Sequence, residues 1–136
     1  MPFPAATPIS VGPDVELSVH DTGGDGTAVV LCHGFPDLAC TWGHQLDALA
    51  QAGYRAVAPD MRGYGGSSAP AEIEAYGLTD LADDLAGLLD GLGIDRAVFV
   101  GHDWGGFVSW SMPVLHPHRC LGAVGVCSPY QPFPTT

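Results

Sequence analysis

The chain has 136 residues, 15 acidic and 4 basic, for a formal net charge of −11; the basic residues are all Arg, at positions 55, 62, 96 and 119. Hydrophobic residues make up 46% and charged residues 14%, which suits one folded domain and excludes a disordered acidic tail. Without clustered Lys and Arg the chain cannot neutralise phosphates, which excludes nucleic acid and anionic membrane surfaces as partners.

Residues 1–13 carry four Pro and read as an irregular arm. From Asp14 to His20 apolar residues (Val15, Leu17, Val19) alternate with polar ones, the period of a half-buried strand. Gly23-Gly24-Asp25-Gly26 marks a turn, and Thr27–Cys32 is continuously apolar, as in a parallel strand covered on both faces. Residues 41–52 predict a short helix presenting Trp42, Leu46 and Leu49, and Arg55–Pro59 a further strand. Residues 78–92 are a helix with a leucine stripe (Leu78, Leu81, Leu85, Leu88, Leu89, Leu92), Asp80, Asp83 and Asp84 toward water, and Gly93 as its stop. Arg96–Val100 is the next buried strand, residues 104–115 a helix with Pro113 near its end, and Leu121–Cys127 a last apolar strand. Alternating strands and helices predict an α/β fold with a largely parallel sheet and no internal linker.

Cys32, Cys40, Cys120 and Cys127 form no CxxC pair, so neither a disulfide nor a zinc site is expected; Cys32 and Cys127, inside apolar runs, read as small buried hydrophobes. His116 and His118 beside Cys120 read as a helix-end loop rather than metal ligands. No cofactor is expected. Met1-Pro2-Phe3-Pro4 does not resemble a signal peptide and no long apolar run is present, so the expected location is the cytoplasm.

The segment that carries chemistry is Val98-Phe99-Val100-Gly101-His102-Asp103-Trp104-Gly105-Gly106. A strand entering a helix through so tight a turn strains its central residue, requires Gly101 and Gly105 beside it, and lifts one side chain above the carboxyl edge of the sheet. Here that side chain is Asp103. The spacing is not GxGxxG, and Trp104 would block a pyrophosphate. A carboxylate is ionised at neutral pH and attacks a saturated carbon without a base. Asp60 and Arg62 read as braces of the turn after their strand, His102 as packing around the elbow, and Ser67 (Gly65-x-Ser67-x-Ala69) as a turn residue.

Three motifs in this order, His33-Gly34-Phe35-Pro36-Asp37, Asp60-Met61-Arg62-Gly63-Tyr64-Gly65-Gly66-Ser67 and Gly101-His102-Asp103-Trp104-Gly105-Gly106, resemble the α/β-hydrolases of the epoxide hydrolase kind, over residues 14–128. The resemblance implies an α/β-hydrolase fold and an Asp103 nucleophile that opens an epoxide through an alkyl-enzyme ester, with the epoxide and water as the small-molecule partners. It implies an oxyanion hole from the backbone N–H groups of Phe35 and Trp104, a substrate pocket of Trp104, Phe35 and Pro36, and support from His33, Gly34, Gly101 and Gly105. It also implies a cis bond before Pro36. In this family an acid and a His follow the nucleophile, and a helical cap supplies tyrosines. Downstream of Asp103 the sequence has no Asp or Glu, and His116 and His118 are expected to point away from the carboxyl edge. The cap would begin near residues 131–136, and Tyr54, Tyr64, Tyr76 and Tyr130 are given no cap role.

The expectation is therefore the N-terminal part of a single α/β-hydrolase domain, residues 1–136, truncated after about the sixth strand and lacking the cap and C-terminal part. Alone it would turn over poorly, and its last strand would be an aggregation-prone edge. A haloalkane dehalogenase-type hydrolase is the alternative, disfavoured because Phe35 offers no polar halide donor. A non-catalytic gene fragment, or a half that pairs with a separate C-terminal chain, is the other.

Overall fold

The structure, a computed structural model, describes residues 2–130. Among the described residues six strands form one sheet: β1 (Ala6–Gly12), β2 (Val15–Asp21), β3 (Ala28–Cys32), β4 (Arg55–Pro59), β5 (Ala97–His102) and β6 (Cys120–Val126). Their spatial order is β1-β2-β4-β3-β5-β6. β1 and β2 form an antiparallel pair, β2 meets β4 antiparallel, and β3–β4, β3–β5 and β5–β6 are parallel. The helices are α1 (Gly43–Gln51), α2 (Leu78–Leu92) and α3 (Trp104–Leu115). The expected strands and helices are present within a residue or two of their predicted bounds.

The first segment differs from expectation. Residues 6–12 are not an irregular arm but the outer strand of a hairpin, with Ile9 opposite Leu17. Pro8 is tolerated because β1 is an edge strand, where its missing N–H costs no ladder bond. Ile9 and Val11 pack against the α2 core. α2 makes room for them with small residues: a Cβ at Gly87 would strike the Val11 backbone, and one at Gly91 the Ile9 side chain.

The two faces of the sheet are covered unequally. On one, α2 and α3 pack over β2–β5 through Leu17, Val30, Val57, Leu85, Leu88, Phe99, Val108 and Met112. Each fully buried side chain of this size contributes about 1.5–3 kcal/mol of transfer free energy. On the other, α1 covers β3 and β4 through Val29, Leu31, Trp42, Leu46, Ala56 and Ala58, and Val98 and Val100 are only partly buried. Register places Val124 opposite Val100 and Val126 opposite His102, so both extend this second face toward the edge, where they are exposed. Among the described residues β6 is the other edge of the sheet.

Two further expectations are corrected. Asp84 does not face water: it is 4% exposed and paired with Arg62. Its position, three residues after Leu81 and four before Leu88, lies on the leucine stripe rather than opposite it. Cys127 is exposed and has a φ of +55°, because β6 ends at Val126 and the chain turns there. Cys32 is buried, and burial pushes its thiol up to about 12. All four cysteines are free.

Candidate active site

The carboxyl ends of β3, β4 and β5 bring the three motifs together, because parallel neighbours deliver their following loops to one edge. At the end of β5, Asp103 has φ 57° and ψ −126°, a conformation costing about 1–3 kcal/mol that persists only where surroundings enforce it. The glycines enforce it sterically. A Cβ at Gly101 would collide with the Gly105 backbone, and one at Gly105 with the carbonyls of Cys32 and His33. The elbow is thus pressed between the start of α3 and the end of β3.

The Asp103 carboxylate is partly exposed and does not cap its own helix. Its Oδ2 accepts the Phe35 N–H at 3.0 Å. With the Trp104 N–H, this donor holds the carboxyl below its ordinary value of 3.8. The N-terminal end of α3 favours negative charge in the same place. Gly34 lies against this carboxylate, and a Cβ there would overlap it.

His33 is 2% exposed and both of its ring nitrogens are engaged. Nε2 accepts the Met61 N–H at 2.9 Å, which makes Nδ1 the protonated nitrogen, donating to the Gly34 carbonyl at 2.9 Å. His33 therefore ties the loop after β3 to the loop after β4, with no ring nitrogen left for proton transfer. Tyr64, given no role from sequence, packs edge-on against His33 at 4.8 Å between centroids. Burial and the Asp103 charge push its phenol up. The Phe35–Pro36 bond is cis, as the resemblance implies.

Asp60 and Arg62 do not pair with each other. Asp60 accepts the Ala39 N–H at 2.9 Å and the Gly66 N–H at 3.3 Å. Arg62 crosses to α2, donating to both Asp84 oxygens at 2.8 and 2.6 Å and to the Ala75 carbonyl at 2.7 Å. The Ser67 hydroxyl donates to the Asp60 carbonyl at 2.5 Å and accepts the Ser18 N–H at 2.9 Å, so it is committed to the turn. His102 closes β5, half-buried. His116 bonds Asp83 at 2.8 Å on the flank of α2. Among the described residues no histidine bonds the Asp103 carboxylate, and no group of three or more His, Cys, Asp or Glu side chains could hold a metal ion.

A cavity of about 240 Å³ lies beside Trp104, lined also by Met61, Tyr64, Tyr76, Leu81 and Val108. Gly34 and Trp104, the neighbours of Asp103, line it, but Asp103 itself, Phe35 and Pro36 do not. The Phe35 ring is 67% exposed, and Pro36 borders a separate hollow with Leu38 and Cys40. A wider groove of about 440 Å³, between Phe3 and the start of α1, is not lined by Asp103 or by either donor residue. Residues 131–136, where the cap would begin, lie outside the described residues.

A strand–Asp–helix elbow facing two backbone donors on an order 1-2-4-3-5-6 sheet defines the α/β-hydrolase class. The family model described as alpha/beta hydrolase fold matches residues 27–136, and the chain belongs to that family. It is 53% identical to epoxide hydrolase A of Mycobacterium tuberculosis over 119 residues, 87% of this chain and 37% of that protein. It is 46% identical to bifunctional epoxide hydrolase 2 of Sus scrofa over 91% of this chain and 22% of that one. The crystal structure of epoxide hydrolase A from Mycobacterium thermoresistibile superposes with a TM-score of 0.91 at 47% identity, covering 98% of this chain and 42% of that chain. An epoxide hydrolase from Vigna radiata gives 0.88 at 37% identity. The chain thus spans less than half the length of the relatives it matches. No helix among the described residues is long and apolar enough to cross a membrane.

Proposed function

We propose that this chain carries the nucleophile part of an epoxide hydrolase-type site, with Asp103 as nucleophile and the Phe35 and Trp104 N–H groups as oxyanion donors. The observation that carries this reading is the bond from the Phe35 N–H to Asp103 Oδ2. With Oδ2 held, Oδ1 is the oxygen free to attack. Its electron pair forms a bond to one epoxide carbon, the ring C–O bond breaks, and the alkoxide takes a proton from solvent or a donor group. Oδ2 becomes the ester carbonyl oxygen, already held by the Phe35 N–H, with the Trp104 N–H as the second donor to the carboxyl group. When water adds to Cγ the developing negative charge falls on Oδ2, which is where such donors lower the barrier most. That second step needs a base to take the water proton.

His33, Gly34, Gly101 and Gly105 are the support, and Trp104 walls the apolar cavity. In the whole protein the acid, the base and the cap would come from the part of the relatives' length that this chain does not span, so residues 1–136 are one part of a single α/β-hydrolase domain. Four unpaired cysteines support a reducing, cytoplasmic setting.

Incubating the purified chain with styrene oxide and following intact mass tests the reading. The expected result is one epoxide added per chain, mapped to Asp103, without sustained diol release. Labelling elsewhere, or none, overturns it. Chloride or bromide release from a haloalkane, with no reaction toward the epoxide, would favour the dehalogenase reading instead.

A further inference from the structure

Ser128 lies beyond the end of β6, outside every motif discussed above. It is 5% exposed, and its hydroxyl donates to the main-chain carbonyl of Asp103 at 2.6 Å, with the Val126 carbonyl 3.3 Å away. The same Asp103 carbonyl accepts the Gly106 N–H at 3.0 Å, and the Asp103 N–H donates to the Val126 carbonyl at 3.3 Å. The elbow is therefore held from the β6 side as well as by its own turn.

Two neighbours are shaped for this contact. A Cβ at Gly106 would overlap the Ser128 hydroxyl and Cβ, so the second glycine after Trp104 is the space that Ser128 occupies. Ser128 is itself pinned: the Trp110 indole N–H donates to its carbonyl at 2.8 Å, and Trp110 packs edge-on against Tyr130 at 5.6 Å. The positive φ of Cys127 turns the chain back toward α3 to make this possible.

We propose that Ser128 is a positioning residue that aims the oxyanion donor of Trp104 by holding the carbonyl of Asp103. The Asp103 carbonyl and the Trp104 N–H belong to one planar peptide unit and point in opposite directions. A hydroxyl that fixes the carbonyl on the β6 side thereby fixes the N–H on the carboxylate side. The inference rests on the reading of Asp103 as nucleophile, but its geometric part is measurable without any reaction.

The test uses the full 136-residue chain with ¹³C-labelled aspartate, as wild type, S128A, S128T and S111A. Ser111 is a fully buried hydroxyl of α3 that bonds only within its helix, to the Val108 carbonyl, and controls for the loss of a buried hydroxyl. S128A is expected to raise the pH at which the Asp103 carboxyl titrates. It is also expected to slow ester formation from saturating styrene oxide on the order of tenfold to a hundredfold, the cost of a small misplacement. The half-saturating epoxide concentration should stay within about twofold, as for an interaction used mainly in the chemical step. S128T restores both readouts and S111A leaves both unchanged. An Asp103 titration in S128A matching wild type overturns the proposal, as does failure of S128T to restore it. A wild-type chain that forms no ester overturns the nucleophile reading instead, and the titrations still decide the role of Ser128. If S128A does not fold, S128C, which keeps the volume with a weaker donor, is compared in the same way.

Discussion

Two aspartates at the carboxyl end of the sheet, Asp103 on the elbow and Asp84 against the loop after β4, show how surroundings divide one side chain between two tasks. Asp103 is partly exposed, meets two backbone N–H groups, and ionises more readily than usual. Asp84 is buried, faces the Arg62 guanidinium, and ionises less readily than usual, because burial outweighs the pull of Arg62. A carboxylate meant to react must be ionised and reachable; one meant to brace can be neither reachable nor cheap to bury.

The comparison is broken most completely by exchanging the task of Asp103 for that of a neutral isostere. D103N keeps size and shape, so the chain should fold as wild type does, while ester formation with styrene oxide falls below detection. Intact-mass kinetics and a thermal melt measure both. A D103N chain that still forms the ester, or one that does not fold, removes the distinction between a reactive and a bracing aspartate.

Next in size is the brace. Asp84→Ala leaves the Arg62 guanidinium buried without its partner, which costs about 3–5 kcal/mol for a buried pair broken on one side. Urea denaturation measures it, and ester formation at temperatures where the variant is folded should be close to wild type. Arg62→Met with Asp84→Leu sharpens the point. Replacing both partners by apolar groups should recover most of that loss, since the desolvation of two charges disappears together. If the double variant is as unstable as the single one, the pair contributes more than its desolvation costs, and the raised Asp84 carboxyl has another origin.

The same contrast explains what was legible in the sequence. The elbow could be read because its rule is steric and local: Gly101 and Gly105 must be small wherever a strand turns so sharply into a helix. The leucine stripe of α2 was legible for the same reason, as a period of one element. The Arg62–Asp84 pair joins residues of two elements, and nothing local says which Asp an Arg will find. The position of Asp84 within the stripe was the available signal. β1 was obscured by Pro8 and the Pro residues flanking the strand, and the effect of a Pro within a strand depends on whether that strand is an edge. Gly87 and Gly91, costly inside a helix unless something packs there, were the trace it left on α2. Ser128 was silent because its partner is a backbone carbonyl, which any residue carries.

The smallest effects lie in pH dependence, where the two aspartates act with opposite sign on either side of the ordinary value of 3.8. The folded-state value of Asp103 is lowered, so its ionisation stabilises the fold above the unfolded-state value, and that contribution is lost as pH falls through the lowered one. For Asp84 the folded-state value is raised. The native chain then holds more protons than the unfolded chain between the two values, so stability relative to a non-ionisable variant rises as pH falls from neutral toward 3.8. Melting wild type beside D84N and D103N across this range should show the first difference moving above 3.8 and the second only below it. Ester formation should hold its neutral rate down to about pH 5, because the attacking carboxylate stays ionised well below that. A rate that already falls by half between about pH 7 and 5 would mean that Asp103 lies in an environment like that of Asp84, and the contrast between them would fail.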